Sequence, residues 1–342
     1  MKSVLFNKEN GVNSFSFDGS DIIDSFEYKP SIDNLWDNLD KKDFVVELLI
    51  NPLLNRESDI FDLRNNDNER VGYIFPVCVL DTEMDLSPYR NIENYIYIAF
   101  WELLERLEVI KTNANYLSDC FEDNVSIIVL HKETIGTPNP LHLFIHTLRR
   151  YSYSYFEPNN SIKPIEGYNN PLIGKHHITI ALDEPPLYHH EVVDVILRTL
   201  PKADDIAHRI ILLYQVIEYL FEITASSEIN SKIKKYQNRL SSENDFIESI
   251  RNIGSERTRI HLIFDKCQNI KKSSNDFNDT CLHLFELIHY VPDKTEISDI
   301  FYSFRNQFVH SYRKMLHYKK ELAETVQCFE ILVLDIIQNY KE

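Results

Sequence analysis

The chain has 342 residues, of which 43% are hydrophobic and 12% aromatic, with only 7 glycines, a globular composition that excludes a disordered or fibrous protein. Its five cysteines are scattered and contain no Cys-x-x-Cys pair, which indicates reduced core residues and not a disulfide framework or a zinc site. No signal peptide is evident, and the longest apolar segment is interrupted by Glu93, Glu102 and Glu105. We therefore expect a cytoplasmic protein that makes no membrane contact.

The net charge of −17 is unevenly distributed along the chain. Residues 1–200 carry 17 Lys and Arg against 32 Asp and Glu, a balance of −15, whereas residues 201–342 carry 19 against 21, a balance of −2. Because an acidic surface repels a polyanion, the first part is unsuited to run along nucleic acid. Only the second part is expected to present a local basic face.

Alternating and β-branched runs predict strands in the first part of the chain. The predicted strands are 3–7, 13–18, 44–50, 71–81, 124–132 and 176–182. A helix is predicted from Ser87 and Pro88, since serine suits the N-cap and proline the first helical position. Periodicity leaves 140–156 open between helix and strand, and the Pro, Asn and Gly residues of 158–175 predict a long surface loop.

After Pro201 the strand-like alternation stops, and helical patterns follow one another to the C-terminus. The predicted helices are 204–224, about 229–240, 243–252, 256–270, 279–290, 295–316 and 319–340. The predicted fold class is therefore α+β. An acidic, mixed α/β sensing or regulatory region over 1–195 precedes an all-α helical bundle over 201–342.

Several motifs with well-understood chemistry are absent: the sequence contains no GxGxxG, GxxxxGK[ST], GxSxG or HExxH. Their absence disfavours a kinase or a nucleotide-dependent dehydrogenase, and we expect no cofactor. The pairs 176–177 and 189–190 are both His-His, but adjacent histidines on a strand point to opposite faces. We interpret them as polar residues that flank an exposed turn, and we predict no metal site.

A polar trio interrupts the apolar helical pattern of FRNQFVHS, residues 304–311. Arg305 begins the only Arg-x4-His spacing in the chain, and Asn306 to His310 is an i,i+4 step that places both on one helix face. The flanking apolar residues are Phe301, Phe304, Phe308 and Val309. Polar groups beside such a surface are costly to bury unless they are paired. The trio therefore either serves a ligand or caps a neighbouring helix and its buried carbonyls.

With this motif on its penultimate helix, the segment 201–342 resembles a HEPN domain, and within that superfamily the Apea-like HEPN group of bacterial defence proteins. The likeness rests on FRNQFVHS in its RNxxxH form, together with LLYQVIEYLFE, residues 212–222, on the first long helix. It implies a bundle that forms a homodimer in which two motifs face each other, and metal-independent RNA cleavage. It further implies a role in anti-phage defence, abortive infection or toxin action.

The residue types fit the implied chemistry. RNA supplies its own 2′-hydroxyl as nucleophile, and a histidine such as His310 accepts or donates the proton near neutral pH. Arg305 offers planar, permanently charged donors to the pentacoordinate phosphorane, and Asn306 orients His310 or the phosphate. By position in the resemblance, Glu218 and Tyr214 of the first helix face the motif, and Glu218 holds Arg305 unless it lies on a solvated helix face.

Two hypotheses of different class follow. The first is a metal-independent endoribonuclease that cleaves RNA in a composite dimeric site, with an unknown trigger or regulator acting at the N-terminal region. The second is a binding or scaffold protein whose HEPN-like bundle serves only dimerisation. The intact trio of Arg305, Asn306 and His310 favours the enzyme.

Overall fold

The fold is α+β, and in this computed structural model the chain divides into two compact units. The first unit comprises 1–162 with 170–183, and the second comprises 163–169 with 184–342. The structure describes residues 3–9, 12–18, 25–30, 35–54, 58–83, 85–106, 116–136, 146–157, 162–181, 192 and 195–341. The first unit is built on strands, and the second is built on helices.

Two sheets form the first unit. The strands are β1 Ser3–Glu9, β2 Val12–Asp18, β3 Ser25–Tyr28, β4 Phe44–Ile50, β5 Phe61–Arg64, β6 Arg70–Pro76, β7 Val125–His131, β8 Ser154–Tyr155 and β9 His177–Thr179. Strands β1 to β3 make an antiparallel sheet in chain order. The second sheet has the order β8-β4-β7-β6-β5-β9 and is antiparallel except for the parallel pair β5 and β9.

The core of the first unit lies between the larger sheet and helix α1, Ile92–Arg106. Ile96, Phe100 and Leu103 share one face of α1 and are buried together with sheet residues such as Phe75. Gly72 of β6 lies so close to β7 that a β-carbon there would approach the Val129 carbonyl oxygen to 2.1 Å. The two central strands therefore require glycine at this position.

The predicted strands agree with the structure apart from their bounds, but the predicted start of α1 is wrong. Residues 86–91 form turns in which the Tyr89 amide donates to the Leu86 carbonyl, and Asn91 has φ +60°. This left-handed residue places the first helical turn at Ile92 and not at Ser87. The predicted strand 71–81 also ends early, because residues 77–81 form a 3-10 helix after β6. The stretch 140–156 contains a helical turn at 146–149 and then β8.

The second unit is built from helices. One further short helix, α2 Lys132–Ile135, belongs to the first unit. The long helices are α3 Ile206–Gln237, α4 Glu243–Ile253, α5 Glu256–Lys266, α6 Lys271–Leu287, α7 Ile297–Met315 and α8 Lys319–Asn339. Polar N-cap residues stabilise the first turns of three of these helices. Asp205 accepts from the His208 amide at the start of α3, Ser242 forms a capping box with Asp245 at the start of α4, and Ser255 caps α5.

Several predicted helix boundaries in the second unit are wrong, and the helix predicted over 256–270 ends at Lys266 because Cys267 has an extended backbone. The predicted helices 204–224 and 229–240 are one continuous helix, α3, because Thr224 hydrogen-bonds Tyr340 (2.7 Å) and the buried Ala225 keeps the intervening turn packed. Helix α6 begins at Lys271 and not at 279, since its polar first turns bury Ser273 and Ser274. It ends at Leu287, where His289 adopts φ +56°.

A cluster of phenylalanine rings forms the centre of the bundle. Phe301 and Phe304 of α7 are each 2% exposed and pack on Phe277 and Phe329, with ring centroids 5.3 Å apart for Phe301 and Phe329. The interpretation of these two residues as part of an apolar surface beside the motif is therefore wrong, because their spacing turns them towards the core. Phe308 is half-buried and contacts Tyr312.

Part of the predicted surface loop 158–175 packs against the bundle. The backbone of Asn169 donates to and accepts from the Gln327 amide (2.9 and 2.7 Å), and Gly167, with φ +90°, lies against Ala323. Helix α3, which has the length and apolar composition of a membrane span, buries half of its apolar window inside the protein, as a core helix does.

Candidate functional site

Arg305 and Asn306 lie on α7, where this helix meets the start of α5 and the first third of α3. The Arg305 Nε is 3.2 Å from a carboxylate oxygen of Glu256, and its Nη1 donates to the Asn306 side-chain oxygen at 3.2 Å. The guanidinium carbon lies 5.7 Å from the ring centroid of Tyr214. The Tyr214 hydroxyl donates to the same Glu256 oxygen. We call Arg305, Glu256 and Tyr214 the arginine clamp.

The arginine clamp is only partly exposed, with side-chain accessibility of 31% for Arg305 and 30% for Glu256. Burial, followed by the hydrogen bond and charge of Glu256, raises the pKa of Tyr214, and the nearby charge of Glu218 acts in the same direction. Tyr214 therefore stays a neutral donor that orients Glu256. Among the described residues, the remaining Arg305 N–H groups have no acceptor.

His310 lies one helical turn beyond Asn306, about 6 Å along the axis, and is exposed. It makes no hydrogen bond or ion pair with any part of the chain that the structure describes. The helix is interrupted immediately after it, because Ser311 has the non-helical angles φ −131° and ψ 16°. The imidazole is therefore free to engage a ligand.

The structure thus brings Arg305, Asn306 and Tyr214 together and places His310 on the same helix. Glu218 is exposed on α3, one turn after Tyr214. It acts on Tyr214 only through its charge, and the carboxylate that contacts Arg305 is that of Glu256. The task expected of Glu218 is carried out by Glu256, which sequence reasoning missed. An acid in the first turn of a helix is ordinary, so nothing local marked it.

A second polar contact continues from the clamp along α5 and α7, and it too was missed. Arg257 Nε donates to a carboxylate oxygen of Asp299 at 2.7 Å, and His261 Nδ1 is 2.7 Å from the Ser298 hydroxyl. The residue numbers of the contacts increase along α5 while those of their partners decrease along α7, so the two helices are antiparallel here. We call this row of contacts, from Glu256 to Ser298, the polar seam.

Basic side chains cluster directly after His310, where α7 turns into α8. Arg313, Lys314, Lys319 and Lys320 are all exposed, and none of them forms an ion pair with a described residue. No acid lies between 311 and 320 in the sequence. We call these four residues the basic turn. They are a run of exposed cations within a chain of net charge −17.

Within the described ranges, no group of three or more His, Cys, Asp or Glu side chains is arranged to hold a metal ion. His176 and His177 lie at the start of β9, and His177 is paired in register with Asp62 of β5. His189 and His190 lie outside the described residues. Comparison of the chain with protein-family models, curated proteins and solved structures finds no match.

Proposed function

We propose that the protein is a metal-independent endoribonuclease of the HEPN type. The observation that carries the proposal is the arginine clamp: Glu256 holds the Arg305 guanidinium while its remaining donors stay free, one helical turn before the exposed His310. A guanidinium held in place on the same helix as an imidazole without a partner among the described residues suits phosphodiester cleavage by an internal nucleophile.

In the proposed reaction the RNA 2′-oxygen attacks the adjacent phosphorus, and the phosphorus bond to the 5′-oxygen breaks. His310 accepts the proton of the 2′-hydroxyl, and a second acid protonates the leaving 5′-oxygen. The products are a 2′,3′-cyclic phosphate and a 5′-hydroxyl. Arg305 donates to the non-bridging oxygens, where negative charge accumulates, and Glu256 and Asn306 keep its plane fixed.

The basic turn supports a polyanionic substrate. Its cations have no protein counterions among the described residues, so they are available to phosphates and release condensed ions when RNA binds. They follow His310 closely in the chain, so RNA bound there would lie near the C-terminal end of α7. The acidic first 200 residues, with a balance of −15, are not expected to contribute.

A homodimer completes the site in this proposal. The Arg-x4-His spacing occurs once, and a single histidine is poorly placed to act on both sides of an in-line displacement. A two-fold partner supplies the second histidine. Exposed apolar residues beside the motif suit such an interface: Val309 is 55% exposed and Ile211, one turn before Tyr214, is 48% exposed. The N-terminal region then acts as sensor or regulator, and the resemblance suggests cytoplasmic anti-phage defence.

The test is to incubate the purified protein with total RNA in EDTA and to analyse the new ends. Cleavage to 2′,3′-cyclic phosphates supports the proposal, and intact RNA at high protein concentration favours the scaffold alternative. Cleavage lost in EDTA and restored by one divalent ion would reject the metal-free mechanism. Sedimentation at micromolar concentration addresses the dimer: a fully active monomer of about 40.4 kDa contradicts the composite site.

A further inference from the structure

A cavity of about 540 Å³ lies within the first unit. One of its walls is the stretch that leads into β5, and the other is the turn that leads into β9. Neither the arginine clamp nor the basic turn contributes a side chain to its lining. The volume is within the usual range for small-ligand pockets, so the cavity is large enough for a ligand of its own.

Two hydrogen bonds join the two walls of the cavity. The Asn170 side-chain amide donates to the Leu53 carbonyl at 3.4 Å, and the Asp62 amide donates to the His176 carbonyl at 3.3 Å. The wall before β9 is itself an ordered turn, since the Asn170 side-chain oxygen accepts from the Leu172 amide at 2.9 Å. These bonds fix the spacing of the walls, so the cavity is part of the folded structure of the first unit.

Much of the lining is apolar, and it extends from buried to exposed side chains. Leu54, Phe61 and Leu172 are each at most 4% exposed, whereas Ile173, in the turn before β9, is 80% exposed. A single exposed isoleucine is ordinary on a protein surface. One that borders a cavity with an apolar lining adds to the apolar area that a ligand removes from water. The cavity therefore favours a ligand with an apolar tail.

Two basic residues complete the wall before β9. Lys175 and His176 line the cavity, and both are exposed. Neither side chain forms a hydrogen bond or an ion pair with any residue that the structure describes. The Lys175 ammonium has rotatable donors on a flexible stem, so it can reach an anionic group at the mouth of the cavity. An apolar lining beside an unpaired cation suits a ligand with an anionic head and an apolar tail.

We propose that this cavity binds a small carboxylate with an apolar tail, its carboxylate at Lys175 and its tail against the side chains of Leu54, Phe61 and Leu172. One permanent cation matches the single charge of a carboxylate, whereas a phosphate group carries up to two charges and three acceptor oxygens. Binding of the carboxylate stands without RNA cleavage, and only a role of this ligand as the regulator of cleavage rests on the proposed function.

Two kinds of molecule carry this chemistry: a fatty acid, and an amino acid with an apolar side chain. They differ in the ammonium group of the amino acid, and Asp59, in the wall before β5, decides between them. Burial, followed by the charges of Asp62 and Asp59, raises the pKa of Tyr89, which also lines the cavity, so the charge of Asp59 acts there. An ammonium group beside Asp59 is favourable, whereas a fatty acid gains nothing from this carboxylate.

The test measures binding of butanoate, hexanoate and octanoate to the full chain by calorimetry. From butanoate to octanoate, affinity should rise about fourfold for each added CH₂ group. Lys175→Gln should weaken octanoate binding about three- to tenfold, the effect of one lost hydrogen bond. The matched control is Lys42→Gln, at another exposed lysine of the first unit, which should bind octanoate like the parent. Because both lysines are exposed, both variants should unfold like the parent.

Leucine and isocaproate, which is leucine without its amino group, separate the two sources. Tighter binding of leucine assigns the cavity to an amino acid, and Asp59→Asn should then remove the difference. Tighter binding of isocaproate assigns it to a fatty acid, and equal affinities support the shared carboxylate chemistry. The proposal is overturned if no probe binds at millimolar concentration, if affinity does not rise with tail length, or if Lys175→Gln binds like the parent. None of these outcomes bears on RNA cleavage, which is measured separately.

Discussion

Two arginine–carboxylate pairs in the helical unit differ in how completely they are used. Arg209 of α3 is 2% exposed and donates from every nitrogen: Nη2 to Glu330 at 2.6 Å, Nε to the Tyr168 hydroxyl at 3.1 Å, and Nη1 to the carbonyls of Leu200 and Ala203. Arg305, on α7, is 31% exposed and uses only part of its donor set. All donor nitrogens of Arg209 therefore bond within the protein, whereas Arg305 is held in place and keeps N–H groups without an acceptor among the described residues.

This difference separates structural from functional polar groups more clearly than sequence does. A buried arginine needs every donor satisfied, since an unpaired one there is costly. An arginine that a carboxylate and an aromatic ring fix in place, with donors still free, is costly to order and has no structural need for that order. We therefore propose that Arg209 serves stability and Arg305 serves ligand binding, and each prediction below tests one side of that contrast.

The largest effect on the cleavage rate is expected at His310, because the free donors of Arg305 contribute to cleavage only if a general acid or base is also present. His310→Ala should lower the RNA cleavage rate about 10²- to 10⁴-fold, the usual contribution of a general acid or base. Since the side chain is exposed, the free energy of unfolding should change by less than about 0.5 kcal/mol. His283→Ala, an exposed histidine of α6, is the control and should cleave normally.

On the structural side, Arg209→Ala should lower the free energy of unfolding by about 3–5 kcal/mol in urea titrations, because Glu330 stays buried without its arginine. The double variant Arg209→Met, Glu330→Met should recover part of this loss, since no buried charge of the pair remains. If Arg209→Ala is as stable as the parent, Arg209 does not differ from Arg305 in its contribution to stability.

Arg305→Ala tests the functional side and should reduce cleavage about 10²- to 10³-fold, the range for one lost donor to the transition state. Unlike Arg209→Ala, it should leave urea unfolding nearly unchanged, because the ion pair is partly exposed to solvent. Arg305→Lys keeps the charge but not the planar fork, so partial activity is expected. Arg251→Ala, at an exposed position of α4, is the control. Parental activity of Arg305→Ala contradicts the assignment.

Smaller effects are expected from the residues that hold Arg305. Glu256→Gln removes the charge that fixes the guanidinium and should lower kcat roughly tenfold, because orientation and not substrate affinity is lost. KM should stay within about twofold of the parental value, and Tyr214→Phe should act in the same direction with a smaller loss. A rise in KM with kcat unchanged would mean that Glu256 acts in binding.

Local patterns predicted much of the fold. Alternation located β1 and β2, β-branched apolar runs located β4 and β7, and the change of pattern after Pro201 located the helical unit, because each signal lies within a short stretch of sequence. Errors arose from features that apolar periodicity does not register. The hydrogen bond between Thr224 and the distant Tyr340 keeps α3 continuous through a stretch with two serines, and the left-handed backbone of Asn91 delays the start of α1. Neither the long-range hydrogen bond nor the backbone angle of one residue is visible in the short windows from which the helices were predicted.

The residues of the candidate site also divide into those that lie on one helix, which the sequence predicted, and those on other helices, which it did not. Arg305, Asn306 and His310 belong to one helix, so their spacing predicted that they share it. Glu256 lies 49 positions before Arg305, on another helix. Glu218 was predicted in its place because the resemblance implies a polar residue on the first long helix. The burial of Phe301 and Phe304 was missed for a related reason: their partners, Phe277 and Phe329, lie on α6 and α8.

The smallest predicted effect concerns the basic turn. Its four cations form no ion pair with a described residue, whereas Arg209 and Arg305 each contact a carboxylate. Lys319→Ala with Lys320→Ala, in the His310→Ala background, should weaken RNA binding and reduce its dependence on salt. Each phosphate contact removed should make the slope of log affinity against log salt shallower by about 0.7. Lys42→Ala, an exposed lysine of the acidic unit, should leave the slope unchanged. Equal slopes for both variants would show that RNA does not contact this turn, whereas a loss confined to the basic turn would place the strand beside His310.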